Sequence, residues 1–140
     1  MQQLNNNRLL VNSIENIHFN GKNITLSSTN PYDENIVVNT LIDGGGKGSA
    51  ITFVGIEDES CVLAGFTIQS WEGGGGITDL VGSAINGSGT HSTIRDNVIR
   101  NSAAEYGGGV YDCDGIIENN IITKNLAWQG GGLSNCDGAI

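Results

Sequence analysis

The chain is poor in several residue types that mark common classes of protein. Its 140 residues include one proline and three cysteines, and 15 acidic residues outnumber six basic ones to give a net charge of −9. A chain this acidic repels phosphate backbones and anionic membrane surfaces, so we expect no nucleic-acid partner. The longest apolar run is the four residues CVLA, whereas a membrane-spanning helix needs about 20. We therefore predict no membrane span.

The cysteines, Cys61, Cys113 and Cys136, are too few and too unevenly spaced for a disulfide scaffold or a zinc site. The opening MQQLNNNRLLVNSIEN has no apolar core and no small-residue cleavage site, so no secretory signal is read in it. We interpret residues 1–13 as an N-terminal extension or a fragment of a helical cap. The class of the protein has to be read from what is abundant.

Glycine is abundant, with 22 residues, and it recurs in a repeated pattern. EYGGGVYDCDGIIENN begins at Glu105 and WQGGGLSNCDGAI at Trp128, so three glycines, an apolar residue and Cys-Asp-Gly return after 23 residues. The same offset aligns further residues: Ile94 with Ile117, Asn97 with Asn120, Ile99 with Ile122, and Ala104 with Ala127. A period this short has no room for a helix of about ten residues plus strands, so each repeat is predicted to consist of strands and turns.

The earlier part of the chain follows the same plan with looser spacing. SAITF and SAINGSG take the place of GGGVY and GGGLS, GFTIQS matches NVIRNS and NIITKN, and WEGGGGITDLVG at 71–82 is a loop. Stacked repeats put equivalent residues about 4.8 Å apart, in columns that bury aliphatic side chains. We therefore predict an all-β fold, a right-handed parallel β-helix of about five coils over residues 14–140 that stops partway through a coil.

Two columns of this stack are predicted to be structural. Asn97 lies above Asn120, and an asparagine amide can donate to the coil on one side while it accepts from the coil on the other. Cys113 and Cys136 share an inward slot, where a pair of thiols is expected. A disulfide is the alternative, since Cα atoms about 5 Å apart lie within its range.

An acidic column gives the one cofactor hypothesis. Asp114 lies above Asp137 and Asp112 above Asn135, beside glycines that let backbone carbonyls approach. Oxygen ligands at this spacing suit a calcium ion, and stacked carboxylates repel unless a cation or proton is taken up. Ordinary turn chemistry is the other interpretation, because Asp-Gly is a common turn dipeptide. The run EDES at 57–60 is interpreted as a solvated loop.

Aromatic and basic residues give two further hypotheses. Tyr106, Tyr111 and Trp128 lie near the glycine turns, where exposed rings stack on sugar faces and buried ones pack a loop against its coil. Arg95 lies above Glu118, which predicts a cross-strand ion pair first and a catalytic pair second.

The residues also carry a family resemblance. GGGVYDCDGIIENNIITKNLAWQGGGLSNCDG resembles the right-handed parallel β-helix repeat family, a pectate-lyase-like superfold in which GGG-apolar alternates with I-x-N-N-x-I-x-x-N. HFNGKNITLSS, TLIDGGG and LAGFTI are similar to its entry coils, so the resemblance covers about residues 14–140. It implies a segment of a longer surface or secreted protein, extracellular or at the cell surface. Such repeats occur in surface proteins, adhesin-like proteins and polysaccharide-active enzymes alike.

We accordingly expect a non-catalytic module that binds carbohydrate or another protein. The alternative is a fragment of a polysaccharide lyase or glycoside hydrolase, which needs at least two acidic residues in one cleft. The alignment offers only Asp112, Asp114 and Asp137 for that purpose. The final coil, ending at Ile140, leaves backbone N–H and C=O groups unpaired, and this edge predicts a two-fold homodimer through abutting coil ends.

Overall fold

The structure, a computed structural model, describes residues 2–5, 8–11, 15–70 and 83–140, and strands dominate these residues. The described residues include one short helix, α1 (Glu34–Asn39). The strands are β1 (Gln2–Asn5), β2 (Arg8–Val11), β3 (Ile17–His18), β4 (Thr25–Ser27), β5 (Leu41–Asp43), β6 (Ile51–Thr52), β7 (Val62–Ala64), β8 (Thr67–Ser70), β9 (Ile85–Thr90), β10 (Thr93–Arg95), β11 (Val98–Tyr106), β12 (Val110–Cys113), β13 (Ile116–Glu118), β14 (Ile121–Thr123), β15 (Leu126–Gln129) and β16 (Leu133–Ser134).

Most of these strands belong to three parallel sheets. The first sheet has the order β16-β12-β9-β6-β3, the second β13-β10-β7-β4, and the third β14-β11-β8-β5, with β15 also pairing with β11. From β3 onward, the chain visits the first, second and third sheets in that order and then returns to the first. We call one such passage a repeat. The predicted all-β class with parallel strands is confirmed.

The pairing register follows the 23-residue period of the sequence. Ile94 pairs with Ile117 and Val98 with Ile121, in both cases 23 residues further along the chain. The looser N-terminal repeats align as the sequence indicates, because Ile85 pairs with Ile51 on one side and with Val110 on the other. Residues that are equivalent in the sequence are therefore neighbours in a sheet.

The turns between strands recur at fixed positions as well. Three pairs of non-glycine residues 23 positions apart have positive φ: Asp96 and Asn119 (56° and 54°), Asn101 and Lys124 (50° and 55°), and Asp112 and Asn135 (57° and 54°). Asparagine and aspartate tolerate this left-handed conformation better than other non-glycine residues, which explains five of the six. The polar residues of the repeat are thus required by the backbone geometry of its turns.

The glycine triplets are explained by close backbone approach. Gly107 and Gly130 have φ of 57° and 63°. A Cβ atom on Gly107 would lie 2.5 Å from the carbonyl oxygen of Val110, and one on Gly130 would lie 2.2 Å from that of Leu133. The two triplets also stack directly, since the N–H of Gly108 donates to the carbonyl of Gly130 at 3.2 Å. A Cβ atom on Gly109 would lie 2.5 Å from the carbonyl oxygen of Gly132 in the next repeat, so a side chain there would separate the repeats.

The core consists of three aliphatic columns, one on the inner face of each sheet. Their members in register are Ile17, Ile51, Ile85, Val110 and Leu133 in the first sheet, Leu26, Leu63, Ile94 and Ile117 in the second, and Ile42, Ile68, Ile99 and Ile122 in the third. Phe19 and Phe53 stack in the same core with ring centroids 4.5 Å apart. Each column is buried only because neighbouring repeats cover one another.

Asparagine amides join the repeats at a buried corner. The carbonyl oxygen of the Asn97 side chain accepts from the N–H of Phe66 at 3.0 Å, and its amide nitrogen donates to the carbonyl of Leu63 at 3.0 Å and to Asn120 Oδ1 at 3.1 Å. Asn120 donates in turn to the carbonyl of Ile94 at 2.8 Å. One side chain therefore bonds to the repeat before it and to the repeat after it.

The run EDES is not entirely a solvated loop, and the interpretation of Glu57 is wrong. Glu57 is 1% exposed. Its carboxylate accepts from the backbone N–H groups of Gly21 at 2.8 Å and of Gly55 at 3.0 Å, and it also accepts from Val54 N–H. A buried carboxylate that satisfies three orphan N–H groups holds two neighbouring turns together, whereas Asp58 to Ser60 are exposed.

The N-terminal segments differ from the sequence-based expectations. Residues 1–13 were interpreted as an N-terminal extension or a fragment of a helical cap, and within them Gln2–Asn5 and Arg8–Val11 pair as antiparallel strands. Helix α1, which interrupts the passage between β4 and β5, was not predicted. The loop predicted at 71–82 lies outside the described residues. No helix in the described ranges has the length and apolar character needed to cross a membrane.

The last strands leave part of their apolar surface open. Ile121, Leu126 and Ile140 are exposed at this end. Ala139 forms a single parallel bridge with Ile116, so pairing continues to the penultimate residue of the chain. The homodimer through abutting ends stays a prediction.

We predict that Glu57→Gln lowers the free energy of unfolding by about 1–3 kcal/mol. The amide nitrogen of glutamine would face backbone N–H donors that now have a carboxylate oxygen as acceptor. Urea denaturation monitored by circular dichroism measures the change. Glu59→Gln is the matched control, because it removes the same charge from an exposed position in the same run, and equal stability of the two variants would contradict the role of Glu57.

The same carboxylate predicts a pH dependence of stability. Burial by itself raises the pKa of Glu57, but the backbone N–H bonds outweigh it and hold the pKa below its ordinary value of 4.5. A carboxyl whose pKa is lower in the native state than in the unfolded state stabilises the fold, and the whole contribution is present when the pH is above the unfolded-state pKa. The contribution is lost as the pH falls through the native-state pKa. The unfolding free energy of the wild type should therefore decline below about pH 4.5 more steeply than that of Glu57→Gln.

We also predict that Asn97→Ala lowers the free energy of unfolding by about 1–3 kcal/mol, because it removes the acceptor of the buried Phe66 N–H and one donor to the Leu63 carbonyl. Thr123→Ala, at an exposed position of β14, is expected to stay within about 0.5 kcal/mol of the wild type. If Asn97→Ala is as stable as Thr123→Ala in urea, the amide does not hold the repeats together.

Candidate functional site

Helix α1 forms because the residues before it make a tight turn and a cap. Asn30 Oδ1 accepts from the N–H of Tyr32 at 3.1 Å, and Asp33 Oδ1 accepts from the N–H of Asn35 at 2.9 Å. The second bond satisfies an N–H at the helix start, which is the usual role of an N-cap aspartate. Pro31 and Tyr32 are thereby placed at the entrance to the helix.

Thr67 fixes the helix to the outer face of the third sheet. Its hydroxyl donates to the carbonyl of Val37 at 2.9 Å, and its backbone N–H donates to the carbonyl of Thr40 at 3.0 Å. Val37 is buried by this contact. Val98 and Ile121 are the next outward residues in the same column, so they lie just beyond the edge of the helix.

A groove of about 360 Å³ runs between the helix and this outer face. The groove is lined by aliphatic side chains, one aromatic ring, and side chains with a carboxylate or an amide group. These residues are Pro31, Tyr32, Glu34, Val37, Val38, Asp96, Asn97, Val98, Asn119 and Ile121. The left-handed residues Asp96 and Asn119 stand at equivalent turns of two repeats, so the stacking of repeats places two polar side chains on one side of the groove.

Tyr32 is the most exposed large apolar side chain of the groove, at 76%. The guanidinium of Arg95 lies over its ring, 5.7 Å from the centroid, and Arg95 Nη1 donates to the phenol oxygen at 3.3 Å. Arg95 Nη1 also donates to Asp96 Oδ2 at 2.6 Å, and this bond to Asp96 raises the pKa of Arg95. The tyrosine ring is thus backed on one side by a cation and open on the other.

The ion pair predicted between Arg95 and Glu118 is corrected by this geometry. The two residues are paired in register, as the sequence indicates. The left-handed turn at Asp96 brings the adjacent carboxylate back onto the guanidinium, and Glu118 stays exposed. A local contact has replaced the cross-strand one.

The acidic column lies at a different corner. Asp112 Oδ1 accepts from the side-chain amide of Asn135, and Asp114 Oδ1 accepts from the backbone N–H of Asp137 at 3.3 Å. Among the residues that the structure describes, no group of three or more histidine, cysteine, aspartate or glutamate side chains is placed to hold a metal ion. The geometry supports turn chemistry here and gives the calcium hypothesis no support.

A second, wider hollow of about 540 Å³ adjoins that column. Asp58, Glu59, His91 and Asp114 contribute its charged or titratable groups. The hydroxyl of Ser60 donates to Asp58 at 2.6 Å and lowers the pKa of that carboxyl. The hollow is bounded by hydrogen-bonded turns and contains no exposed aromatic ring.

The three aromatic residues predicted to bind sugar do not form one surface. Tyr106 and Tyr111 lie with ring centroids 6.3 Å apart. Trp128 is 64% exposed. In the pairing of β11 with β15, Gln129 lies beside Tyr106, so Trp128 lies beside Glu105 and not beside a tyrosine. Within the described part of the chain, Trp128 makes no ring contact with either tyrosine.

Cys61, Cys113 and Cys136 are all free thiols. Cys61 and Cys113 are buried, and burial raises the pKa of Cys113 to about 12. Burial also raises the pKa of Cys136, which is partly exposed and donates to the carbonyl of Ser134 at 3.3 Å. The raised pKa values of Cys113 and Cys136 disfavour the reactive thiolate at these two positions.

Sequence reasoning missed the groove because it assigned no helix. The available signals were Asn30 and Asp33, two turn and cap residues that flank the single proline at position 31. They predict a helix start, but not that the helix lies across the third sheet and brings Tyr32 to Arg95, a residue 63 positions later.

We predict that a thiol reagent such as dithionitrobenzoate titrates fewer than two cysteines in the native protein at neutral pH, and all three after unfolding. The reason is that two thiols are buried and two have raised pKa values. Absorbance at saturation measures the count. A native count of three would contradict the buried assignment, and a denatured count of one would reveal the disulfide alternative.

Comparison with known proteins leaves the family of the chain open. Neither models of protein families, nor curated proteins, nor solved structures give a significant match. Function therefore has to be argued from the groove and the residues that line it.

Proposed function

We propose that the chain is a right-handed parallel β-helix of a surface or secreted protein whose groove beside α1 binds a carbohydrate chain without cleaving it. The repeated passage through three parallel sheets supports this architecture. The right hand is proposed because about 98% of connections between parallel strands of one sheet have it.

The observation that carries the binding proposal is the exposed ring of Tyr32. A sugar ring has a face of C–H groups that packs on an aromatic face, and Tyr32 offers such a face at the mouth of a groove. Because Arg95 contacts the ring and its phenol oxygen, the tyrosine is restrained before any ligand arrives. Restraint of this kind reduces the entropy lost on binding.

The rest of the lining suits the same ligand. Val98 and Ile121 provide an aliphatic floor, while Asp96 and Asn119 provide polar groups on one side. Binding sites for small organic ligands combine an apolar surface with a few polar groups that fix orientation. Hydroxyl groups of a sugar can donate to a carboxylate and both donate to and accept from an amide.

We predict that Tyr32→Ala weakens binding of oligosaccharides roughly tenfold, through loss of the stacking face. Isothermal titration against a panel of neutral and charged oligosaccharides measures the affinity. Trp128→Ala is the matched control, because it removes another exposed aromatic ring, one that lies outside the groove.

Two results would overturn the proposal. If Trp128→Ala abolishes binding and Tyr32→Ala does not, the binding surface lies at the predicted aromatic positions instead of the groove. If new reducing or unsaturated ends appear during incubation, the chain is a hydrolase or lyase fragment and the non-catalytic assignment is wrong.

A further inference from the structure

The groove has an acidic lining. Its two charged lining residues are both carboxylates, Glu34 on the helix side and Asp96 on the side of the sheet. Glu34 is exposed in the first turn of α1, and within residues 15–70 and 83–140 no hydrogen bond or ion pair engages its carboxylate. One negative charge in the groove is therefore free to meet a ligand.

Arg95, which contacts Tyr32, forms its ion pair with Asp96 and none with Glu34. Arg95 is already bonded to Asp96 and to the phenol oxygen of Tyr32, so its own charge is compensated. Arg100 is the next outward residue of β11 after Val98, and it is not among the residues that line the groove. The chain as a whole carries a net charge of −9. An anionic sugar would enter this groove against both the local and the overall charge.

We propose that the groove selects glycans built from amino sugars, whose rings carry a protonated amine. The proposal rests on the proposed carbohydrate function and names its ligand class. The ring of such a sugar stacks on Tyr32 like that of any other, while its ammonium group donates a charge-assisted hydrogen bond to the Glu34 carboxylate. Glu34 is then the specificity-determining residue and Tyr32 the residue that supplies general affinity.

A peptide rich in lysine is the competing class of cationic ligand, and the floor of the groove disfavours it. Val98 lies in β11, which is paired on one side with β8 and on the other with β14. Extended peptides bind most readily by adding to an unpaired strand edge. This floor offers side chains and no free edge, which suits a rigid ring better than a peptide backbone.

The experiment compares a β-linked glucosamine oligomer with its fully N-acetylated counterpart of equal length, by isothermal titration to the whole chain. The two probes share ring geometry and differ in charge. We expect the amine form to bind more tightly by roughly two- to fivefold, the range of a partly exposed charge pair. Glu34→Gln should remove this preference.

Glu59→Gln is the control variant, because Glu59 is an exposed glutamate outside the groove. If it reduces the amine preference as much as Glu34→Gln does, the attraction is to the acidic protein as a whole and the proposal is overturned. Equal binding of both oligomers through Tyr32 would overturn the amine selectivity while the carbohydrate function stands. If no oligosaccharide binds, the carbohydrate function itself fails.

Two further probes test the alternatives directly. A lysine oligomer of equal charge is expected to bind more weakly than the glucosamine oligomer, and tighter binding would make the ligand a basic peptide. A galacturonate oligomer is expected to bind least. If it binds most tightly, the selectivity is for anions and the proposal is overturned.

Discussion

The structure depends on the in-register stacking of equivalent residues from successive repeats. Hydrogen bonds between parallel strands hold Ile94 beside Ile117 and Val98 beside Ile121. At the turn between these strands, the buried amide of Asn97 bonds to the repeat before it and to the repeat after it. No single repeat could bury its aliphatic residues alone, because each repeat contributes only one residue to each column. Register is therefore the constraint from which core, turns and surface follow.

The turns show how strictly this constraint acts on the sequence. Left-handed residues recur at Asp96 and Asn119, and again at Asp112 and Asn135, because a chain that changes direction at one point of a repeat must do so at the same point in the next. Polar residues that look like candidate ligands are thus required first by the backbone. This is a physical reason for acidic residues to lie in register, and within the described residues no group of three or more histidine, cysteine, aspartate or glutamate side chains is placed to hold a metal ion.

The groove arises where the repetition is broken. Between β4 and β5 the chain makes a detour through α1, and Thr67 fastens that helix to the outer face of the third sheet. The helix covers part of an outward column and leaves Val98 and Ile121 beside it. An insertion is free of the register constraint, so residues such as Tyr32 and Glu34 can be exposed to solvent instead of packing in the stack.

The sequence by itself determined the all-β parallel class, the 23-residue register and the alignment of the looser N-terminal repeats. It could do so because residues that recur in the sequence occupy equivalent positions in successive repeats. Contacts made outside the repeat were decided only by the tertiary structure. From the sequence, Glu57 belongs to a solvated acidic run. In the fold, its carboxylate is buried and accepts from the N–H of Gly21, which lies 36 residues earlier in the chain. Tyr32 and Arg95 belong to different repeats and meet only because α1 folds over the third sheet. Sequence periodicity reveals the contacts that every repeat makes. Each of these two contacts occurs once in the chain, so no repeated pattern in the sequence indicates it.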